Sequence, residues 1–154
     1  MTGSDREAIN DLLSEYNVAT DALDIDGWAA CFTSDGVFNG AYETFRVWPD
    51  KDRFARHARD LEAGGMPRLR HFLSNVRILV DGNTATSHCF FHIVATDDEA
   101  HSAITMVGEY ADVLLKTDGR WLLLRRTVTM DGATPRPGTS PVAAVTTAAA
   151  PSHR

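Results

Sequence analysis

Apolar residues recur with two different periods along this chain, and the change falls near Pro67. In the first half, Ile9, Leu12, Leu13, Tyr16, Thr20 and Leu23 keep the spacing of one helical stripe. Just before it, Ser4-Asp5-Arg6-Glu7 fits a capping box, with Ser4 at the N-cap and Glu7 reaching back to it. Trp28, Cys31 and Phe32 repeat at i, i+3 and i+4 and predict a short helix over 26–33. Asp50 is the expected cap of a third helix bearing Phe54, Ala58 and Leu61, which Gly64-Gly65 would end.

Beyond Pro67 the texture is that of strands. Residues 70–80 form one, Asp81-Gly82-Asn83 is a turn, and Thr84–Ala95 returns from it. A further strand is predicted over 102–116, and Asp118-Gly119 is a strong hairpin signal before Trp121–Met130. A short strand over 36–43 completes the set. Helices come first and long antiparallel strands second, which is an α+β arrangement rather than alternating βαβ units. A curved sheet wrapped against the amphipathic helices would leave a pocket between the two layers.

From Ala133 onward the chain is mostly Pro, Ala, Thr, Ser and Gly, with no Phe, Trp or Tyr and only two valines, too poor in large apolar groups to offset its ordering entropy. The expected folded unit is therefore residues 4–132, followed by a disordered tail over 133–154. Charge narrows the partners. Fifteen Lys and Arg against 21 Asp and Glu leave a net charge of −6, so no cationic surface for nucleic acid or an anionic membrane is expected. Cys31 and Cys89, each flanked by apolar residues, read as buried thiols in a reducing compartment. The N-terminus lacks a basic start followed by an apolar run, and a cytoplasmic location is expected.

Several polar residues sit where the pattern predicts an interior. Tyr16 lies on the helical stripe, either as a core tyrosine or as a hydrogen-bond donor to a substrate. Tyr110 and Asp112 share one face of their strand, whereas Arg125 and Arg126 point to opposite faces of theirs. His88 and His92 also share a face, lining either the pocket or the outer side of the sheet. Without a third ligand they make no metal site. His57, among Arg53, Arg56 and Arg59, reads as part of a solvated cationic face too small for nucleic acid.

The stretch Ile9-x-x-Leu12-x-x-x-Tyr16-x-x-x-x-Asp21-x-x-Asp24, followed by Phe32, resembles the opening of the SnoaL-like family of the nuclear transport factor 2-like superfamily. Arg70-His71-Phe72-Leu73-Ser74-Asn75, Gly108-Glu109-Tyr110-Ala111-Asp112 and Asp118-Gly119-Arg120-Trp121 with Arg125-Arg126 continue the resemblance in the same order. It implies a cone-shaped α+β domain, its mixed and mostly antiparallel sheet curved around the N-terminal helices. Members include scytalone dehydratase, hexachlorocyclohexane dehydrochlorinase and bile acid 7α-dehydratase, which use an Asp–His dyad inside the cone. Carried over by motif, the dyad is Asp21 and His71, with His71 as base and Asp21 fixing its tautomer. A regular helical wheel would choose Asp24 instead, because it lies nearer the centre of the stripe. Tyr16 and Arg126 join the dyad as catalytic candidates, and Tyr110, Asp112, Trp28 and His88 are candidates for substrate contact. For Arg126, a salt bridge to Asp112 or Glu109 is the structural alternative.

The resemblance implies a cofactor-independent enzyme of lyase, dehydratase or polyketide-cyclase type, acting as a homodimer on a small apolar or aromatic substrate. Two departures limit it. Asn39-Gly40-Ala41 offers no carboxylate where ketosteroid isomerase, another relative, has its base, and Thr20 stands where scytalone dehydratase has a tyrosine before its dyad aspartate. The alternative is a non-catalytic binding or assembly module, like the β subunit of ring-hydroxylating dioxygenases. The two readings part on whether Asp21 and His71 meet at ~3 Å in an enclosed pocket.

Overall fold

A computed structural model describes residues 3–63 and 68–132. The elements run α1 (Gly3–Asp21), α2 (Ile25–Ala30), β1 (Phe32–Asn39), β2 (Thr44–Arg46), α3 (Val47–Ala63), β3 (Leu69–Asp81), β4 (Thr84–Thr96), β5 (Ser102–Thr117) and β6 (Arg120–Met130). The strands form one mixed sheet in the order β2-β1-β6-β5-β4-β3. Only β1 and β6 pair in parallel; the other neighbours are antiparallel. The sheet does not close on itself, so β2 and β3 remain its two edges. This is the expected α+β architecture, with the helices against one face of an open, curved sheet. No helix among the described residues is long and apolar enough to cross a membrane.

Helix α1 buries the first four residues of the predicted stripe, Ile9, Leu12, Leu13 and Tyr16; Thr20 is half-buried, and Leu23 is exposed because the helix ends at Asp21. The helix starts at Gly3, so Ser4 lies inside its first turn rather than at the N-cap. The anchoring group there is Asp5, whose carboxylate accepts hydrogen bonds from the Trp121 indole (3.0 Å) and the Lys116 ammonium (2.7 Å). An acidic group in the first turn also suits the positive end of the helix dipole. The second helix is shorter than predicted. It stops at Ala30 because Cys31 and Phe32 turn into the sheet, where the Cys31 carbonyl accepts the Leu123 N–H (2.9 Å). In α3, Asp50 lies in the first turn and accepts the Arg46 N–H (2.8 Å). The Gly64-Gly65 stop and the 133–154 tail lie outside the described residues.

Turn chemistry behaves as the sequence predicts. Asp118 (φ 50°) and Gly119 (φ 79°) both adopt the left-handed conformation that a two-residue hairpin requires. Gly82 (φ 57°) does so in the turn between β3 and β4. Two register shifts set what faces inward. In β3 the shift lies between Ser74 and Arg77, with Asn75 at φ 53°, so that His71 and Leu73 before it and Val76 and Ile78 after it share the helix side. In β6 Leu124 is the extra residue, opposite the Val113–Leu114 step of β5. The phase therefore jumps from Trp121 and Leu123 to Arg126, and Arg125 is left outside.

The main core lies between the three helices and the sheet, reaching from Phe32 on β1 and Phe45 on β2 to Ile78 on β3, Ala85 on β4 and Leu114 on β5. Trp28 is stacked on Phe54 at 3.9 Å and 5°, and Phe38 and Phe45 meet the same Phe54 ring edge-on. A smaller cluster of Cys89, Phe91, Ile93 and Tyr110 covers the centre of β4 and β5. The gap between these two clusters is where the site opens.

Candidate active site

Asp21 is the last residue of α1, and the chain reverses immediately after it through Leu23 (φ 54°). This ending aims the Asp21 carboxylate at the head of β3. One oxygen accepts the His71 backbone N–H (3.1 Å) and the other meets His71 Nδ1 (2.6 Å). Gripping a strand's backbone and its ring together fixes both the position and the rotation of the imidazole. With Nδ1–H donated to the carboxylate, Nε2 carries the lone pair. The two side chains are nearly enclosed, at 10% and 12% exposure for His71 and Asp21. Asp24 is occupied elsewhere: it caps α2 by accepting the Gly27 N–H (3.0 Å). The helical wheel chose Asp24 by extending α1 past its true end.

His71 lies between two hollows. One, of about 250 Å³, is bounded by Asp21, Leu23, Ala58, Arg68, Arg70 and His71. The other, of about 150 Å³, penetrates the gap between the core clusters and has an aromatic and aliphatic wall of Phe38, Phe45, Phe91, Ile93, Met106 and Val128. Its polar wall groups include Tyr16, Tyr110, Thr20, His57 and His71.

Tyr16 and Tyr110 meet edge to face, at 6.4 Å and 72°, with the Arg126 guanidinium 4.1 Å from one ring and 4.2 Å from the other. Burial raises the pKa of both phenols, against the opposing pull of Arg126, so both stay protonated donors through neutral pH. Arg126 is fully buried and forms a two-point ion pair with Asp112, Nε to Oδ1 at 2.8 Å and Nη2 to Oδ2 at 2.9 Å. Ser87 Oγ donates to the same carboxylate (2.7 Å). Burial opposes the charge on Arg126, but Asp112 outweighs it and holds the guanidinium pKa above its ordinary value.

The predicted residues thus separate into three groups. Asp21, His71, Tyr16 and Tyr110 come together around the hollows. Arg126 and Asp112 stand behind the tyrosines and do not line the inner pocket, so Arg126 reaches it through Tyr16 and Tyr110. Trp28 and His88 are brought elsewhere. Trp28 is fully buried against Phe54, and His88 is on the outer face of β4, 2.5 Å from Glu109. His88 sits there because β4 keeps an unbroken alternation that turns Ser87, Cys89 and Phe91 inward.

His57 is the residue that sequence reasoning misplaced. Arg56 and Arg59 are exposed as expected, but His57 is half-buried and lines the inner pocket beside Phe45, at 6.1 Å between rings. The available signal was its offset from Phe54 and Leu61, three residues after one and four before the other on the apolar stripe. Cys31 and Cys89 are buried free thiols, and burial pushes both pKa values up to about 11. Neither is a nucleophile at neutral pH. No group of three or more metal-ligating side chains occurs among the described residues.

The sequence pattern of the SnoaL-like domain family matches residues 2–127. An uncharacterized protein of Mycobacterium tuberculosis is 29% identical over 136 residues, covering 82% of this chain and 85% of its own length. Among solved structures, a nuclear transport factor 2-like protein with a cystatin-like fold from Novosphingobium aromaticivorans superposes with a TM-score of 0.72. It is 23% identical and covers 84% of each chain. A candidate scytalone dehydratase from the same organism gives a TM-score of 0.68 at 20% identity, covering 84% of this chain and 85% of that one. At these identities the two solved structures establish the fold alone.

Proposed function

Because this chain belongs to the SnoaL-like domain family, we propose that it is a cytoplasmic, cofactor-independent enzyme of the lyase or cyclase type. Its substrate is a small apolar or aromatic molecule held in the inner pocket. His71 Nε2 removes a proton from carbon while Asp21 holds Nδ1–H and offsets the charge of the imidazolium that forms. Tyr16 and Tyr110 donate hydrogen bonds to the oxygen on which negative charge develops. Arg126 and Asp112 are positioning residues that hold the two phenols in place.

The observation that carries this reading is the double grip of Asp21 on His71. A histidine needed only for packing gains little from having ring and backbone clamped by one carboxylate beside a hollow. An assembly module would be served as well by a filled interior, so the pocket favours the catalytic reading.

The test uses 5-nitrobenzisoxazole, an apolar probe that opens to a coloured phenolate when a base removes its one C–H proton on the isoxazole ring. Wild-type protein is expected to accelerate ring opening, and His71→Gln to abolish the acceleration. Equal rates for the two proteins would sink the proposal.

We further propose a homodimer formed through the outer sheet face. Phe72, Phe90, Ile104 and Val107 stand exposed there on β3, β4 and β5, an unusual run of apolar groups for a surface facing water. Phe90→Glu is expected to halve the mass measured by sedimentation velocity. A monomeric wild-type protein would refute the dimer.

A further inference from the structure

The inner pocket holds a second imidazole with no task in the scheme above. His57 arrives from α3, which packs on β1 and β2 at one end of the sheet, whereas His71 belongs to β3 at the other. Its ring makes no hydrogen bond or ion pair among the described residues. The neighbouring charges are largely committed. Glu43, from the β1–β2 loop, is paired with Arg53, one turn earlier on α3, and Arg53 also contacts Asp50. The other titratable groups that line the pocket with His57 are Tyr42 in the same loop, Tyr16, Tyr110 and, on the far side, His71; Arg56 and Asp60 are its neighbours along α3.

An elimination needs two proton movements, one off carbon and one onto the departing group. His71 is committed to the first by Asp21. Tyr16 and Tyr110 hold their protons more tightly than ordinary phenols, which leaves them able to donate a hydrogen bond but makes them poor acids. An imidazole is the side chain that can carry a transferable proton near neutral pH.

Resting on the proposed base role of His71, we propose that His57, on the opposite wall of the same pocket, is the acid of the same elimination and protonates an oxygen leaving group. His71 Nε2 takes the proton from carbon, the C–H electron pair becomes the new π bond, and the bond to the leaving oxygen breaks. His57 gives its proton to the departing oxygen, which leaves as water or an alcohol. His71 ends protonated and His57 neutral, and solvent resets both.

The experiment compares two probes with the same C–H to be removed. 5-Nitrobenzisoxazole expels a stabilised phenolate and needs little acid assistance, whereas unsubstituted 1,2-benzisoxazole expels a far more basic one. With His57→Gln, turnover of the unsubstituted probe is expected to fall on the order of 100-fold, with the nitro probe losing about a tenth of that factor or less. Equal losses on both probes, or no loss on either, would overturn the assignment while leaving His71 as base. Turnover that survives in His71→Gln overturns the base reading itself. A His57→Gln protein that melts with wild type excludes misfolding as the cause, and His57→Lys, which restores a proton donor, is expected to recover part of the lost rate.

Discussion

The Arg126 guanidinium and the Asp112 carboxylate face each other through two hydrogen bonds with neither side chain exposed. Charges this deep are tolerated only in pairs. Replacing Asp112 by Asn, or Arg126 by Met, leaves the partner charged and unmatched, and is expected to cost about 3–5 kcal/mol. Urea denaturation of each variant measures it. Arg125→Ala, one residue away on the solvent side, is expected to stay within about 0.5 kcal/mol of wild type.

That contrast marks the limit of what could be read from the chain. Simple alternation from Trp121 and Leu123 would turn Arg125 inward, and the Leu122-Leu123-Leu124 run gives no polar residue to show where the phase slips. Motif spacing selected Arg126 regardless. The long elements were legible because their periods persist over many residues; three-residue β2 was not, being too short for alternation to register. Motif spacing likewise brought Asp21 to His71, where the wheel failed at the helix end. His57 was lost among its arginines, since a cation-rich segment hides which of its members turns inward.

The two-oxygen contact of Asp21 makes an asparagine substitution informative. Asp21→Asn keeps one acceptor for the His71 backbone but loses the charge facing Nδ1. If the amide offers its NH₂ to the ring, Nδ1 becomes the bare nitrogen and Nε2 carries the proton, leaving no base toward the pocket. A fall in kcat of about 10²–10⁴-fold with KM little changed is expected, read on 5-nitrobenzisoxazole. A change confined to KM would mean that Asp21 only shapes the pocket.

Gly108 occupies the inward position of β5 next to Tyr110, under the Phe91 ring. A Cβ there would lie 2.2 Å from the Thr129 carbonyl oxygen and 2.9 Å from the ring, which stacks on Tyr110 at 4.4 Å and 19°. The backbone oxygen belongs to the neighbouring strand and has no room to retreat. Gly108→Ala is therefore expected to destabilise the protein by about 1–3 kcal/mol, measured by thermal or urea unfolding. Displacing Phe91 would also narrow the inner pocket, so binding of an aromatic probe should weaken even where the variant folds.

Buried acids set the alkaline limit of stability. Cys31 and Cys89 are shifted from 9.0 to about 11, and burial raises Tyr16 and Tyr110 above 10.0. Above pH 9 the unfolded chain begins to release protons that the folded chain retains. The unfolded state then binds fewer protons, so stability falls as pH rises. Their contribution is complete below pH 9, and the thiol part is lost as pH climbs toward 11. The urea midpoint is expected to hold steady from pH 7 to about 9 and then decline. Cys89→Ala should decline less steeply, because it removes a group that ionises only on unfolding. A midpoint independent of pH up to 11 would show that these groups ionise equally well in the folded protein.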